Sequence, residues 1–218
     1  MQQGSIRTIF FDYDGTLHNG IKIYAPAFRE AYSYLVENDY AAPRDWTDKE
    51  ISYWLGFSPV EMWNSFMPNI PEETKTTCSG MISQAMKALT EGGKAELYSG
   101  SIEVLSYLKE KGYHLIFISN CKTYYKEAHN RVFGLDNYFE ELIATEDYGF
   151  LPKDEILASI KHRYEKDIAI VGDRTQDIEA GKANGILTIG CTYGYGLANE
   201  LQDADIKISD ILELKNIF

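Results

Sequence analysis

The chain has 218 residues, 44% of them hydrophobic and 25% charged, which is too apolar for disorder and suits one domain with an insert or two small domains. A net charge of −12 leaves no broad basic surface, arguing against nucleic acid or an anionic membrane as partner. Three widely spaced cysteines without a Cys-x-x-Cys pair suit free thiols, and neither the polar start nor any long apolar run predicts a signal peptide or membrane span, so a cytoplasmic location is expected.

Thr8 to Phe11 is a short run without polar alternation, the pattern of a strand buried on both faces of a parallel sheet. It ends in two carboxylates, Asp12 and Asp14, and then Gly15, which allows a sharp turn. Carboxylates at the carboxyl end of a central strand lie where open α/β sheets bind ligands. From about Pro26 to Gly93 the signals are helical. Pro26 opens a helix to Asn38, and Thr47–Glu50 and Ser58–Glu61 are capping boxes. Pro71 starts a longer helix that Gly92-Gly93 ends. Trp46, Trp54 and Trp63 in this block read as its core.

From Ser101 helices and strands alternate. A helix around Ile102–Leu108 stops at Lys111-Gly112, and His114–Ile118 is a strand followed by Ser119 and Asn120. Thr123–Phe133 is a helix and Leu142–Thr145 a strand. Asp154–Tyr164 is helical, Ile168–Val171 is a strand ending in Gly172-Asp173, Thr175–Asn184 is a helix and Ile186–Ile189 a strand. An edge strand and a short helix close the chain after Asp205. The alternation predicts an α/β fold with a doubly wound parallel sheet. Three strands thus end in polar groups: Asp12 with Asp14, Ser119 with Asn120, and Asp173 with Asp177. The histidines, His18, His114, His129 and His162, have no metal-ligand spacing and read as surface or helix positions. Cys121 reads as a packing residue, and Arg174 and Lys122 as solvated surface.

Asp12-Tyr13-Asp14-Gly15-Thr16-Leu17 resembles the first motif of the haloacid dehalogenase superfamily of phosphohydrolases. Ser119 matches its second motif, Lys153 its third, and Gly172-Asp173-Arg174-Thr175-Gln176-Asp177 its fourth. The third motif departs from the usual Lys-Pro, since here Pro152 precedes Lys153. The resemblance is to the phosphoglycolate phosphatase-like members with a helical cap. It implies a Rossmann-like core of residues 1–17 and 93–218, sheet order 3-2-1-4-5, and a cap of residues 18–92 hinged at His18–Tyr24 and Gly92–Ser99. Leu55-Gly56-Phe57 is similar to the family's substrate-specificity loop.

The same resemblance implies a Mg²⁺-dependent phosphatase acting on a small phosphorylated metabolite, as a monomer or homodimer. Asp12 would be the nucleophile and Asp14 the general acid/base. Asp12, Asp173, Asp177 and the Asp14 main-chain carbonyl would hold Mg²⁺, which prefers near-octahedral oxygen ligation. Ser119, Asn120 and Lys153 would hold the phosphoryl oxygens, with Gly15 and Thr16 in the substrate-binding turn. A dehalogenase would not need Asp14, because a departing halide takes no proton. A β-phosphoglucomutase-like phosphotransferase and a catalytically silent binding protein are the alternative readings.

Overall fold

The computed structural model describes residues 6–164 and 167–218. The chain divides into two compact units. One runs through Asn19 and resumes at Leu97, and the other is Gly20–Glu96. Set against the sequence-based boundaries, the division leaves His18 and Asn19 with the sheet unit and residues 93–96 with the helical one.

β1 (Thr8–Phe11) is buried at every position, as its run without polar alternation predicts. The helical unit follows with α1 (Ile21–Glu37), α2 (Asp48–Ile51), α3 (Pro59–Phe66) and α4 (Glu72–Glu91). α1 starts at Ile21, five positions before the expected Pro26, which lies inside the helix. Pro26 forgoes one intrahelical bond there, a cost of about 3 kcal/mol in a helix interior. Burial of Ile23, Tyr24, Ala25, Ala27 and Phe28 around it offsets that loss. Both expected capping boxes form, on Thr47 with Glu50 and on Ser58 with Glu61. α1 packs chiefly on α4. An aromatic cluster fills the unit: Phe28 stacks on Trp54 at 5.3 Å between centroids, and Trp54 meets Phe66 at 4.7 Å and Trp46 at 5.6 Å. Trp54 and Trp63 are buried and Trp46 is half-buried, which makes the three indoles core of this unit as expected.

The sheet unit then continues through α5 (Ser101–Glu110), β2 (His114–Ser119), α6 (Thr123–Phe133), β3 (Glu141–Ala144), α7 (Lys153–Ile160), β4 (Ile168–Gly172), α8 (Thr175–Asn184), β5 (Leu187–Cys191), β6 (Ile206–Ile208) and α9 (Leu214–Ile217). All neighbouring strands pair in parallel, in the order β3-β2-β1-β4-β5-β6. The expected order of five strands holds, and β6 extends it at one edge. Phe11 lies level with Phe117 on β2 and with Val171 on β4, so the ends of β1, β2 and β4 come side by side. A core of Phe10, Ile116, Ile118, Ile143, Ile156, Leu157, Ile168 and Ile170 holds that edge in place. Among the described residues no helix is long and apolar enough to cross a membrane. All three cysteines are buried and free.

Candidate active site

Everything at the site follows from where three strands stop. β1 hands over to Asp12, β2 ends on Ser119, and β4 ends on Gly172, directly before Asp173. Gly15 turns the chain back after β1 with a φ of +89°, and a Cβ there would lie 2.1 Å from Asp173 Oδ2. The position therefore needs glycine for its conformation and for the close approach of Asp173. α8 starts at Thr175, two positions after Asp173, and carries Asp177 in its first turn.

One carboxylate oxygen from each of Asp12, Asp173 and Asp177 lies within 4.8 Å of the others, and all three residues are buried. Lys153, at the first position of α7, reaches into this group. Its Nζ lies 2.5 Å from Asp12 Oδ1 and 2.6 Å from Asp177 Oδ1. Burial works against the ammonium, but the two carboxylates more than compensate and hold its pKa above the ordinary lysine value. Lys153 is thus a fixed positive charge despite the Pro-Lys order before it.

Three buried carboxylates face that single ammonium. Burial pushes Asp12 up to about 7, with Lys153 opposing and Asp177 adding to the rise. Burial, then the charges of Asp12 and Asp177, drive Asp173 well above the usual carboxylate range. Such a cluster is short of positive charge, and its donors are all oxygen. That set fits a hard divalent cation of the Mg²⁺ kind.

Asp14 stands apart from the triad. His18 Nδ1 lies 2.7 Å from its Oδ1, and the Tyr125 hydroxyl donates to the same oxygen at 2.8 Å. Burial would raise the Asp14 carboxyl, but the His18 hydrogen bond and charge outweigh it and hold the pKa below the ordinary value. Behind this pair lies a buried aromatic layer. Tyr13 stacks on His18 at 5.0 Å, and its hydroxyl lies 2.7 Å from His129 Nδ1.

Two sequence readings are corrected here. His18 is fully buried on the turn after β1 rather than on a surface or a helix, whereas His129 is a helix residue as expected, on the buried face of α6. The packing of Tyr13 and Phe133 around them, with Phe117 behind Tyr13, outweighs the usual exposure of histidine. Arg174 is buried rather than solvated, because its Nε pairs with Glu200 Oε2 at 2.9 Å. Lys122 is half-buried at the N-cap of α6.

Ser119 is 2% exposed at the end of β2, and Asn120 beside it is half-buried. The Thr16 hydroxyl lies 3.5 Å from Asp173 Oδ1, at the outer limit of a hydrogen bond. Burial pushes the Cys121 thiol up to about 12, which disfavours a reactive thiolate and fits a packing residue. Sequence reasoning missed His18, Tyr125 and the segment Tyr193-Gly194-Tyr195-Gly196. Only the last left a signal in the chain, two glycines alternating with two tyrosines after a strand.

A model of the haloacid dehalogenase-like hydrolases matches residues 9–191. A phosphoglycolate phosphatase of Haemophilus influenzae is 27% identical over 228 aligned positions, covering 97% of both chains. The pyrophosphatase PpaX of Listeria welshimeri is 26% identical, covering 87% of this chain and 85% of its own. A crystal structure described as a predicted phosphatase from Clostridium acetobutylicum superposes with a TM-score of 0.80 at 23% identity, covering 97% of this chain and 98% of that one, which speaks to the fold alone. With its motif residues gathered at one edge of the sheet and the family's model spanning most of its length, this phosphoglycolate phosphatase-like chain belongs to the haloacid dehalogenase-like hydrolases.

Proposed function

We propose that the chain is a Mg²⁺-dependent phosphatase of small, phosphoglycolate-like phosphate monoesters, working through an aspartyl-phosphate on Asp12. The observation that carries this reading is the buried Asp12–Asp173–Asp177 group with Lys153 Nζ lodged between two of its members. Asp12, Asp173, Asp177 and the Asp14 main-chain carbonyl would hold the metal, which when bound supplies charge neutralisation and orientation of the phosphoryl group. An Asp12 oxygen attacks phosphorus as the bond to the ester oxygen breaks. Because His18 and Tyr125 hold Asp14 ionised, it must first take up a proton; it gives that proton to the leaving oxygen, then takes one from the water that cleaves the aspartyl-phosphate, returning Asp12 and free phosphate. Lys153 orients Asp12 and, with Ser119 and Asn120, stabilises charge on the phosphoryl oxygens. Gly15 keeps the turn close enough for Asp173 to join the group. The helical unit carries no motif residue, and we assign it the choice of substrate. Three buried thiols fit a cytoplasmic setting.

A panel of phosphate esters, including phosphoglycolate and pyrophosphate, assayed with Mg²⁺ or with a chelator for free phosphate, tests the reading. Mg²⁺-dependent release from a small monoester is expected. Interconversion of sugar phosphates without release would favour a phosphotransferase, and inertness of the folded protein toward every ester would refute the proposal.

A further inference from the structure

We infer that the segment Tyr193–Glu200, between β5 and β6, is a positioning device that fixes the Asp173 carboxylate for its cation, an inference that rests on the metal reading above. Asp173 is fully buried, and Lys153 serves the other two carboxylates, not this one. Its close donor is instead the main-chain N–H of Tyr195, 2.6 Å from Oδ2. Among the described residues Oδ1 has only the distant Thr16 hydroxyl, which leaves this oxygen for a cation.

Two glycines flank that N–H. A Cβ at Gly194 would lie 2.3 Å from Asp173 Cβ and 2.4 Å from Oδ2, and one at Gly196 would lie 1.9 Å from the Asp173 carbonyl oxygen. Neither glycine has a positive φ, so the backbone conformation alone would accept other residues. What excludes them is the space that Asp173 occupies. The segment is laid against both its carboxylate and its main chain.

It is fastened at both ends. On the β1 side the Tyr193 hydroxyl donates to the Thr16 carbonyl at 2.8 Å, and the Tyr195 hydroxyl lies 3.0 Å from Asn19 Oδ1. On the β4 side Glu200 accepts from Arg174 Nε at 2.9 Å, from the Thr175 N–H at 3.2 Å and from the Leu197 N–H at 3.0 Å. Tyr195 N–H is therefore held in register with both strands that carry the acidic triad. Mg²⁺ tolerates little departure from octahedral geometry, so a ligand free to rotate binds it poorly. Groups that orient a metal ligand typically change affinity by about 10–100-fold.

Calorimetric titration of Mg²⁺ into the substrate-free protein, with circular dichroism and thermal unfolding in chelator as folding controls, tests the inference. Gly194→Ala pushes the segment off Asp173 and is expected to weaken Mg²⁺ binding by about tenfold or more. Glu200→Gln loosens the far end, touches none of the three carboxylates, and is expected to weaken binding in the same direction. A folded Gly194→Ala protein that binds Mg²⁺ within about twofold of wild type overturns the inference. If Gly194→Ala does not fold, Glu200→Gln decides on the same criterion. Loss of binding in Asp173→Asn with both segment variants intact would sink this inference alone. A wild-type protein that binds no Mg²⁺ would remove the metal reading, and this inference with it.

Discussion

Acidification should unfold this protein partly through one imidazole. His129 has no solvent exposure, and its Nδ1 lies 2.7 Å from the Tyr13 hydroxyl, from which a neutral ring with Nδ1 unprotonated can accept a hydrogen bond. Burial, reinforced by His18, holds its pKa down to about 3, against 6.5 for an exposed histidine. Between those values the unfolded chain takes a proton that the native state refuses. The contribution to stability is therefore complete above pH 6.5 and is lost as the pH falls toward 3. At about 1.4 kcal/mol per pH unit the whole window is worth on the order of 5 kcal/mol, and the stretch down to about pH 4.5 about 3 kcal/mol. Domains of this kind have only about 5–15 kcal/mol in hand. Other groups titrate over the same range, so the measurement is a difference. Urea denaturation of wild type and His129→Leu would be compared at about pH 8 and pH 4.5. The variant leaves the Tyr13 hydroxyl without its His129 partner, a cost of about 1–3 kcal/mol at high pH. Wild type should then lose about 3 kcal/mol more than the variant on acidification, narrowing or reversing the gap. Parallel losses in the two proteins would refute a neutral, proton-refusing His129.

Asp12→Asn should keep the fold and abolish turnover, since an amide is a poor nucleophile; phosphate release above about a tenth of wild type, roughly 1.4 kcal/mol of barrier, would reject the assignment. Lys153→Met removes the ammonium from between two buried carboxylates and should cost about 3 kcal/mol or more in chelator. Saturating Mg²⁺ should return much of that by mass action, and denaturation curves with and without the metal decide it. Chelation should silence the enzyme and Ca²⁺ should restore it poorly, because Ca²⁺ accepts bidentate carboxylates and would tie up both oxygens of Asp12; full activity in chelator contradicts this. Replacing the helical unit with a short Gly/Ser linker should spare weak hydrolysis of an aryl phosphate while losing most activity on the natural ester. An unchanged preference across a panel of esters would place selectivity in the sheet unit.

The sequence by itself determined the strands, the order of the elements and the family, because these rest on short-range patterns. Thr8–Phe11 is apolar or β-branched throughout because both faces are covered, and Asp12, Asp14, Asp173 and Asp177 follow their strands at motif spacing. The capping boxes on Thr47 and Ser58 are equally local. Pro26 misled because its local cost was outweighed by burial that no local pattern records. What only the tertiary structure decided is which side chains serve which carboxylate. Tyr125 lies 111 positions from Asp14, and Tyr193 lies 177 from the carbonyl at Thr16. Lys153, 141 positions from Asp12, was legible only through its motif. His18, though only four positions from Asp14, reads like any solvated histidine until Tyr13, Phe133 and His129 close around it. Arg174 likewise becomes an interior residue only when Glu200 arrives from the segment after β5. A periodic pattern reports what a residue does to its own element. The partner that makes a buried charge or a glycine necessary comes from another part of the chain, and only the packed sheet brings it there.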